Sequence, residues 1–414
     1  MRRVWALAMV VGCSGGNKED VSELVPGDGG SDATVQDASS DAGVAPADSG
    51  TDASSDASVD SGTPLTQFTF KPSNLTLAQL PAPPGEGLRI FAPCELDTDN
   101  GNLSCSGGSG RSGDFEFATV DAEGGVRVAI LRARSLTVEM AGELLARGAL
   151  PLIVVTNEEL NVLGRVSAAS AARSAYAGGF PSPSTTGNGS GPGAGLLGTV
   201  GQFKPSGGGS YCGLGGKGAL TAGLTGAQAS GGPSYGNAQI VPLLGGSSGG
   251  GGASETGAGG GVVQLVSAKQ ITIGATGRVD AGGGGARNSA SGGGSGGAVL
   301  LESPIVSLAG VLAANGGGGS AARGGSGGQD GQPSATPAAG ETGTNGDDLD
   351  GAGSAGSSAN GEDGRSITTN DSLGGGGGAG RIRVNTRSGS GALTGTLSPA
   401  ASTSCATEGT VAAL

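Results

Sequence analysis

The stretch Val262-Val-Gln-Leu-Val-Ser-Ala268, followed by Gln270-Ile-Thr-Ile-Gly-Ala-Thr-Gly-Arg-Val-Asp-Ala-Gly-Gly283, decides the fold of this chain. It contains a short aliphatic strand, a polar corner, a second strand of alternating apolar and polar residues, and a third Gly-x-Val piece. The same order recurs in segments that begin at Leu150, Ala298 and Gly380. Three short strands in about 20 to 25 residues are what one rung of a parallel solenoid requires. Because stacked rungs pair about 4.8 Å apart and bury aliphatic side chains, the pattern predicts an all-β, right-handed parallel β-helix.

Short apolar segments upstream of Leu150 predict that the solenoid begins earlier in the chain. Three of them have the character of further rungs, and the two most N-terminal ones suit a cap over the first rung, because a solenoid must cover its open sheet edge. The predicted rungs contain Phe115-Glu-Phe117, Val126-Arg-Val-Ala-Ile-Leu131 and Ser135-Leu-Thr-Val138, and the predicted cap contains Phe68-Thr-Phe70 and Leu75-Thr-Leu77. We therefore expect one β-helix domain over residues 67–414.

The composition fits a narrow, repetitive fold with few large side chains. Glycine supplies 91 of 414 residues, aromatic residues make up 3% and charged residues 14%. There is no strict Gly-X-Y period, which argues against collagen. Much of the glycine lies in insertions between the rungs, at 171–258, 286–294 and 320–376. A solenoid accommodates such insertions at its corners, and loops of this length are either functional or disordered.

The residues needed for common catalytic mechanisms are missing from the sequence. The chain has no histidine, which excludes imidazole bases, Ser-His-Asp triads and histidine-ligated zinc. Gly246–Gly250 fits Gly-x-Ser-x-Gly, but no histidine exists to activate Ser248. Arg381 and Arg383 alternate with apolar residues, so they are either the basic lip of a groove or, as we favour, merely solvated. The sequence predicts no catalytic residues, no metal site and no cofactor.

The N-terminus has the features of an export signal. Arg2 and Arg3 precede a short apolar stretch, which ends in Val10-Val-Gly-Cys13. That ending resembles the bacterial lipobox, in which the peptide is cut before a lipid-bearing cysteine. The resemblance implies a signal peptide at residues 1–12 and a lipid anchor on Cys13; the alternative is an ordinary secretory peptide. Ser14, rather than Asp, implies by the same resemblance sorting to the outer membrane.

An acidic, low-complexity segment follows the predicted anchor. Residues 17–66 contain eleven Asp or Glu residues and one base, Lys18. The segment has no aromatic residue and few apolar ones, so we expect residues 13–66 to be a disordered tether. The acidic balance of the whole chain, with a net charge of −13, argues against a nucleic-acid partner.

Four cysteines remain besides Cys13, and an exported protein can pair them in three ways. Cys94 and Cys105 flank a turn-like segment that contains Asp97-Thr-Asp-Asn-Gly-Asn102. We therefore favour a local Cys94–Cys105 disulfide and, by elimination, Cys212–Cys405. The Asp97/Asp99 pair faintly resembles a calcium loop, but it lacks the later bidentate Glu, so a turn is favoured.

Three glycine-rich blocks carry a wider resemblance. Gly292–Ser303, Gly374–Asn385 and Tyr235–Gly250 look like those of glycine-rich lipoproteins of myxobacteria and related delta-proteobacteria. The resemblance implies a lipobox, an acidic tether and a right-handed β-helix, and it supplies no catalytic residues.

Two functions are compatible with this sequence. We predict a non-catalytic cell-envelope lipoprotein, adhesin-like or structural, held in the outer membrane by its lipid and with an envelope polysaccharide or another surface protein as partner. The alternative is a carbohydrate-binding or polysaccharide-degrading β-helix protein. The mature chain has lost Trp5 with the signal peptide and has no other tryptophan, which argues against an aromatic sugar platform.

Overall fold

A computed structural model describes residues 68–172, 174–199, 204–219, 228–252, 255–322, 326–342, 350–365 and 372–414. All of them lie in the larger of the two units into which the chain divides, Ser61–Leu414. The predicted signal peptide and the whole of the predicted tether, which includes Cys13, lie outside the described residues. No described helix is long and apolar enough to cross a membrane.

Short β-strands make up the regular structure of the described residues, apart from two three-residue 3-10 helices, Leu77–Gln79 and Ser106–Gly108. The strands are β1 (Phe70–Lys71), β2 (Leu88–Ile90), β3 (Pro93–Asp97), β4 (Leu103–Cys105), β5 (Arg111–Ser112), β6 (Glu116–Asp121), β7 (Arg127–Ala133), β8 (Leu136–Val138), β9 (Glu143–Arg147), β10 (Leu152–Thr156), β11 (Leu160–Val162), β12 (Arg165–Ser167), β13 (Val262–Ser267), β14 (Gln270–Ile273), β15 (Arg278–Asp280), β16 (Ala298–Glu302), β17 (Ile305–Leu308), β18 (Val311–Ala313), β19 (Arg381–Thr386), β20 (Ala392–Leu393), β21 (Thr396–Ser398), β22 (Ala406–Thr410) and β23 (Ala412–Ala413).

Within the described residues, all strands except β1 and β23 form three seven-stranded sheets. Sheet A has the order β22-β19-β16-β13-β10-β7-β6, sheet B the order β20-β17-β14-β11-β8-β2-β5, and sheet C the order β21-β18-β15-β12-β9-β3-β4. Successive strands from β7 to β21 therefore enter sheets A, B and C in turn, and we call each such set of three a rung. Each of the four repeat units found in the sequence contributes one rung, from β10–β12 to β19–β21.

The interior is a column of stacked aliphatic side chains, as the repeat predicts. In sheet A, Leu152 is in register with Val263, which in turn faces Val299 and then Ile382 on successive parallel strands. All four are buried in one apolar cluster. The same position accepts Leu, Val and Ile, because each rung needs only an aliphatic side chain of suitable volume.

Antiparallel strands close the first end of the stack. The terminal strands β4, β5 and β6 each pair antiparallel with the neighbouring strand of their sheet. Phe115-Glu-Phe117 therefore does not begin a rung, because β6 doubles back on β7. These short antiparallel strands occupy the sheet edges to which a further parallel rung could otherwise pair.

The predicted cap lies elsewhere. Residues 68–86, which we call the strap, run along the outer face of sheet A from the last rung to the first. The strap begins where β1 pairs with β23 near the C-terminus, and its apolar residues Phe70 and Leu75 are buried against outward-facing residues of sheet A. Its polar contacts follow in order: Thr69 with Arg387, Ser73 with Glu302, Asn74 with Gln264, Gln79 with Asp121 and Pro81 with Arg132. The prediction of a cap at 68–77 was wrong, because an uncovered apolar outer face of sheet A recruits these side chains.

The glycine-rich insertions form a second ordered region, which we call the glycine bundle. It comprises the described parts of 168–261, 281–297 and 314–380, each of which joins a strand of sheet C to the next strand of sheet A. Its inner segments, such as 245–251, 292–297 and 372–380, are buried although they have no regular strands. Successive backbone amides donate to three different neighbouring segments in turn, so every third amide donates to the same neighbour. In the segment 292–297, Gly292 and Ser295 donate to Gly250 and Ser247, and Gly293 and Gly296 donate to Gly375 and Gly378. Gly294 and Gly297 donate to Gly284 and Ala281.

A period of three in hydrogen bonding is that of an extended helix with three residues per turn, which forms no hydrogen bonds within itself. Such helices satisfy their amides and carbonyls only by packing side by side. The segment 374–380 lies among six described neighbours and exchanges backbone hydrogen bonds with all of them: 206–209, 213–219, 293–296, 314–320, 351–354 and 359–362. A methyl group at Gly376 would come within 1.9 Å of the Ala352 carbonyl oxygen, so this packing admits only glycine there.

Candidate functional site

A groove lies on the outer face of sheet C, beside the glycine bundle. One wall is formed by outward-facing side chains of β9, β12 and β15, and the other by residues 330–333 of the bundle. The cavity measures about 490 Å³, within the range of small-ligand sites. Alternation along the strands places apolar side chains in the column and polar ones in the groove.

An ionic network forms the floor of this groove. Arg165 on β12 donates to both carboxylate oxygens of Asp280, at 2.8 Å each, and to Glu143 at 3.0 Å. The carboxylate of Asp280 is buried, with 1% of its side chain exposed. The hydrogen bond between Arg165 and Asp280 is the main cause that raises the pKa of Arg165. The guanidinium is therefore charged and fixed in one orientation.

A second arginine is held at the end of the groove nearest the first rung. The Arg147 Nε atom lies 2.6 Å from a carboxylate oxygen of Glu95, and Nη1 donates to the Tyr176 hydroxyl at 2.6 Å. Its guanidinium also stacks 4.5 Å from the centre of the Tyr176 ring. Both arginines have about two fifths of their side chain exposed (38% and 37%), so they keep polar hydrogens available to a ligand.

A third arginine, Arg278, differs from the other two. It is exposed and pairs in register with Arg165 on the adjacent strand. Its guanidinium makes no ion pair or hydrogen bond with any residue in the described ranges. Opposite it, Asp330 is fixed to the bundle because its Oδ1 accepts the amides of Ala172 and Gly285 at 2.8 Å each. On its sheet C wall, the groove thus presents the guanidinium of Arg278, which has no ion-pair partner among the described residues and faces a rigid opposite wall.

Both disulfides that the sequence favoured are present in the structure. Cys94–Cys105 joins paired residues of β3 and β4 across the predicted turn. In that turn the carboxylate of Asp97 accepts the Asp99 amide, and Asp99 accepts the Ala149 amide. The second disulfide, Cys212–Cys405, connects the glycine bundle to the chain just before β22.

The arginines of β19 are structural. Arg381 is half-buried; its Nη2 donates to the Tyr235 carbonyl at 2.8 Å, and its guanidinium lies 5.4 Å from the Tyr211 ring centre. Arg383 donates to Asn385 and Thr407. The interpretation of both as merely solvated was wrong, because the bundle folds back over Arg381 and because residues of β19 and β22 hold Arg383. Burial raises the pKa of Tyr211 and of Tyr235.

The Gly-x-Ser-x-Gly motif at Gly246–Gly250 is part of the glycine bundle. Ser248 is fully buried, and its hydroxyl accepts the Ser190 amide at 2.7 Å. Asp350 is also buried, and its Oδ1 accepts the Gly374 amide at 3.0 Å. In the part of the chain that the structure describes, no three His, Cys, Asp or Glu side chains come together as a metal ion would require.

Sequence reasoning missed the groove, because its two walls are far apart in the chain. Glu143 and Asp330 are almost 190 residues apart in sequence. The polar positions of β9, β12 and β15 were visible as outward-facing residues, but nothing in the repeat shows which insertion covers them. Comparison with family models, curated proteins and solved structures gave no match.

Proposed function

We propose that this protein is a non-catalytic lipoprotein of the cell envelope, in which a right-handed parallel β-helix serves as a rigid structural or adhesin-like body. The lipid on Cys13 holds it in the outer membrane, and residues 13–66 are the tether, as in the glycine-rich lipoproteins that the sequence resembles. The parallel sheets, with strands that enter A, B and C in turn, support the β-helix.

The observation that carries this proposal is the path of the strap. The chain enters the folded domain at Phe68, beside the C-terminus, and then crosses the outer face of sheet A to the first rung. A load applied through a tether would reach the strap before it reached any rung. The strap distributes that load over several rungs, because it contacts in succession Arg387 directly after β19, Glu302 in β16 and Gln264 in β13.

The contacts beneath the strap are suited to a static role. Glu302 is buried, and its carboxylate accepts hydrogen bonds from the Ser73 amide at 3.0 Å, Gln264 at 2.6 Å and Asn385 at 3.0 Å. A buried carboxylate whose oxygens all accept hydrogen bonds from the protein has no capacity left for a reacting group. These groups stabilise the docked strap.

Metabolic labelling tests the anchor. The full chain and a Cys13→Ala variant are expressed in a bacterial host with radioactive palmitate, and the membranes are fractionated. We expect label in the outer-membrane fraction for the parent, and an unlabelled variant that is released from the membrane. A parent that carries no label, or a variant that is labelled equally, would overturn the proposed anchor.

A further inference from the structure

We propose that the groove on sheet C binds an acidic saccharide, with the carboxylate of a uronic acid unit paired to Arg278. This site goes beyond the structural role, and it does not depend on the anchor at Cys13. The proposal concerns binding only, and no bond is made or broken in it.

The position of Arg278 indicates that the ligand carries an anionic group. An arginine presents a planar fork of donors that matches a carboxylate in a bidentate manner. The neighbouring Arg165 is neutralised by Glu143 and Asp280, whereas Arg278 has no such partner among the described residues. An incoming carboxylate can therefore pair with the Arg278 guanidinium, at the edge of a cavity, without displacing an ion-pair partner among the described residues.

The rest of the lining indicates a saccharide rather than a simple anion. Sugar hydroxyls both donate and accept, and the groove alternates donors with acceptors: Arg147 and Arg165 are donors, while Glu143 is an acceptor with 29% of its side chain exposed. Gln332 adds an amide on the bundle wall, where its Nε2 donates to the Asp330 carbonyl at 2.7 Å. A cavity of about 490 Å³ is larger than a single small anion needs.

The site is also preorganised. Asp280 and Glu143 fix Arg165, Glu95 and Tyr176 fix Arg147, and two backbone amides fix Asp330. Ligand binding therefore does not have to order these side chains, which removes one of the usual costs of association. Arg278 alone remains to be ordered by the ligand.

Titration calorimetry on the full-length protein in detergent tests the proposal. The probes are short oligomers of galacturonate, glucuronate, mannuronate and guluronate, each compared with its methyl ester. The ester keeps every hydroxyl but removes the charge. We expect at least one acid oligomer to bind, and its methyl ester to bind about tenfold more weakly. In the Arg278→Gln variant, the affinity for the acid oligomer should fall by about tenfold, which corresponds to about 1.4 kcal/mol.

Two further variants complete the design. Arg278→Lys keeps the charge but loses the fork, so it should restore part of the affinity. Arg127→Gln removes an exposed arginine at the first end of sheet A and should bind like the parent. Melting temperatures check that each variant is folded. The proposal is overturned if no acid oligomer binds, if acid and ester bind equally, or if Arg278→Gln and Arg127→Gln have the same affinity.

Discussion

The column inside the three sheets and the glycine bundle bury polypeptide in opposite ways. In the column, each backbone pairs with two neighbours in a sheet, and the space between the sheets is filled by Val, Leu and Ile. In the bundle, the segment 374–380 pairs with six described neighbours, and six of its seven residues are glycine, so little side-chain volume lies between the segments. The first region is stabilised mainly by apolar burial, the second mainly by backbone hydrogen bonds.

This difference teaches that the two regions tolerate opposite changes. A ladder position in the column accepts several aliphatic side chains, because the hydrophobic effect depends on area and volume. A glycine inside the bundle such as Gly376 accepts no side chain, because a neighbouring carbonyl occupies the position of the Cβ atom. The following predictions test that contrast, beginning with the link between the two regions.

Removing Cys212–Cys405 should have the largest effect, because this disulfide joins the bundle to the last rung across a sequence separation of 193 residues. Loop-closure entropy assigns it about 5 kcal/mol of unfolding free energy, against somewhat under 3 kcal/mol (about 2.8) for a separation such as that of Cys94–Cys105. Cys212→Ser with Cys405→Ser is compared with Cys94→Ser with Cys105→Ser by urea unfolding. An equal loss in both double variants would show that the link adds nothing beyond a local staple.

Leu265→Ala in the column should cost about 4 kcal/mol, because it leaves a cavity beneath Val154 and Leu301, with which Leu265 is in register. Leu265→Ile should cost less than about 1.5 kcal/mol, since it preserves volume. Urea unfolding of both variants provides the measurement. If Leu265→Ile lowers the unfolding free energy as much as Leu265→Ala, the column requires one particular side-chain shape and is no more tolerant of substitution than the bundle.

Gly376→Ala in the bundle should cost about 3 kcal/mol, because one methyl group must displace the backbone of a neighbouring segment. The matched control is Gly85→Ala, where an added Cβ meets nothing within 4 Å and should be neutral or slightly stabilising. Thermal unfolding distinguishes them. Equal melting temperatures would mean that the bundle can expand to admit side chains.

High pH should loosen the bundle where it covers sheet A. Burial raises the pKa of Tyr211, so its contribution is fully present below the unfolded value of about 10 and is lost as pH rises toward the folded value. Above pH 10 the unfolding free energy should fall by about 1.4 kcal/mol per pH unit from this group. Urea unfolding at pH 9, 10 and 11 gives the slope. Tyr211→Phe should reduce it, and an unchanged slope would contradict the assignment.

The sequence by itself determined the strand repeat. Alternation at Gln270–Ile273 and its counterparts, each preceded by a short aliphatic run, placed four rungs correctly, because a strand buried on one face must show its period of two in local sequence. The local disulfide was accessible for a similar reason: Cys94 and Cys105 lie close in the chain, on either side of a turn.

Only the tertiary structure decided what lies outside the column. The glycine bundle has no local period of apolar residues, and its hydrogen bonds run between segments that are distant in sequence, such as those of Gly293 and Gly375. The strap has short apolar pairs, but nothing in them shows which surface they cover. An extended helix with three residues per turn forms no hydrogen bonds within itself, so its backbone has no fixed partner until several such segments meet. For the same reason the groove, with Arg278 on one wall and Asp330 on the other, exists only once the bundle has packed against sheet C.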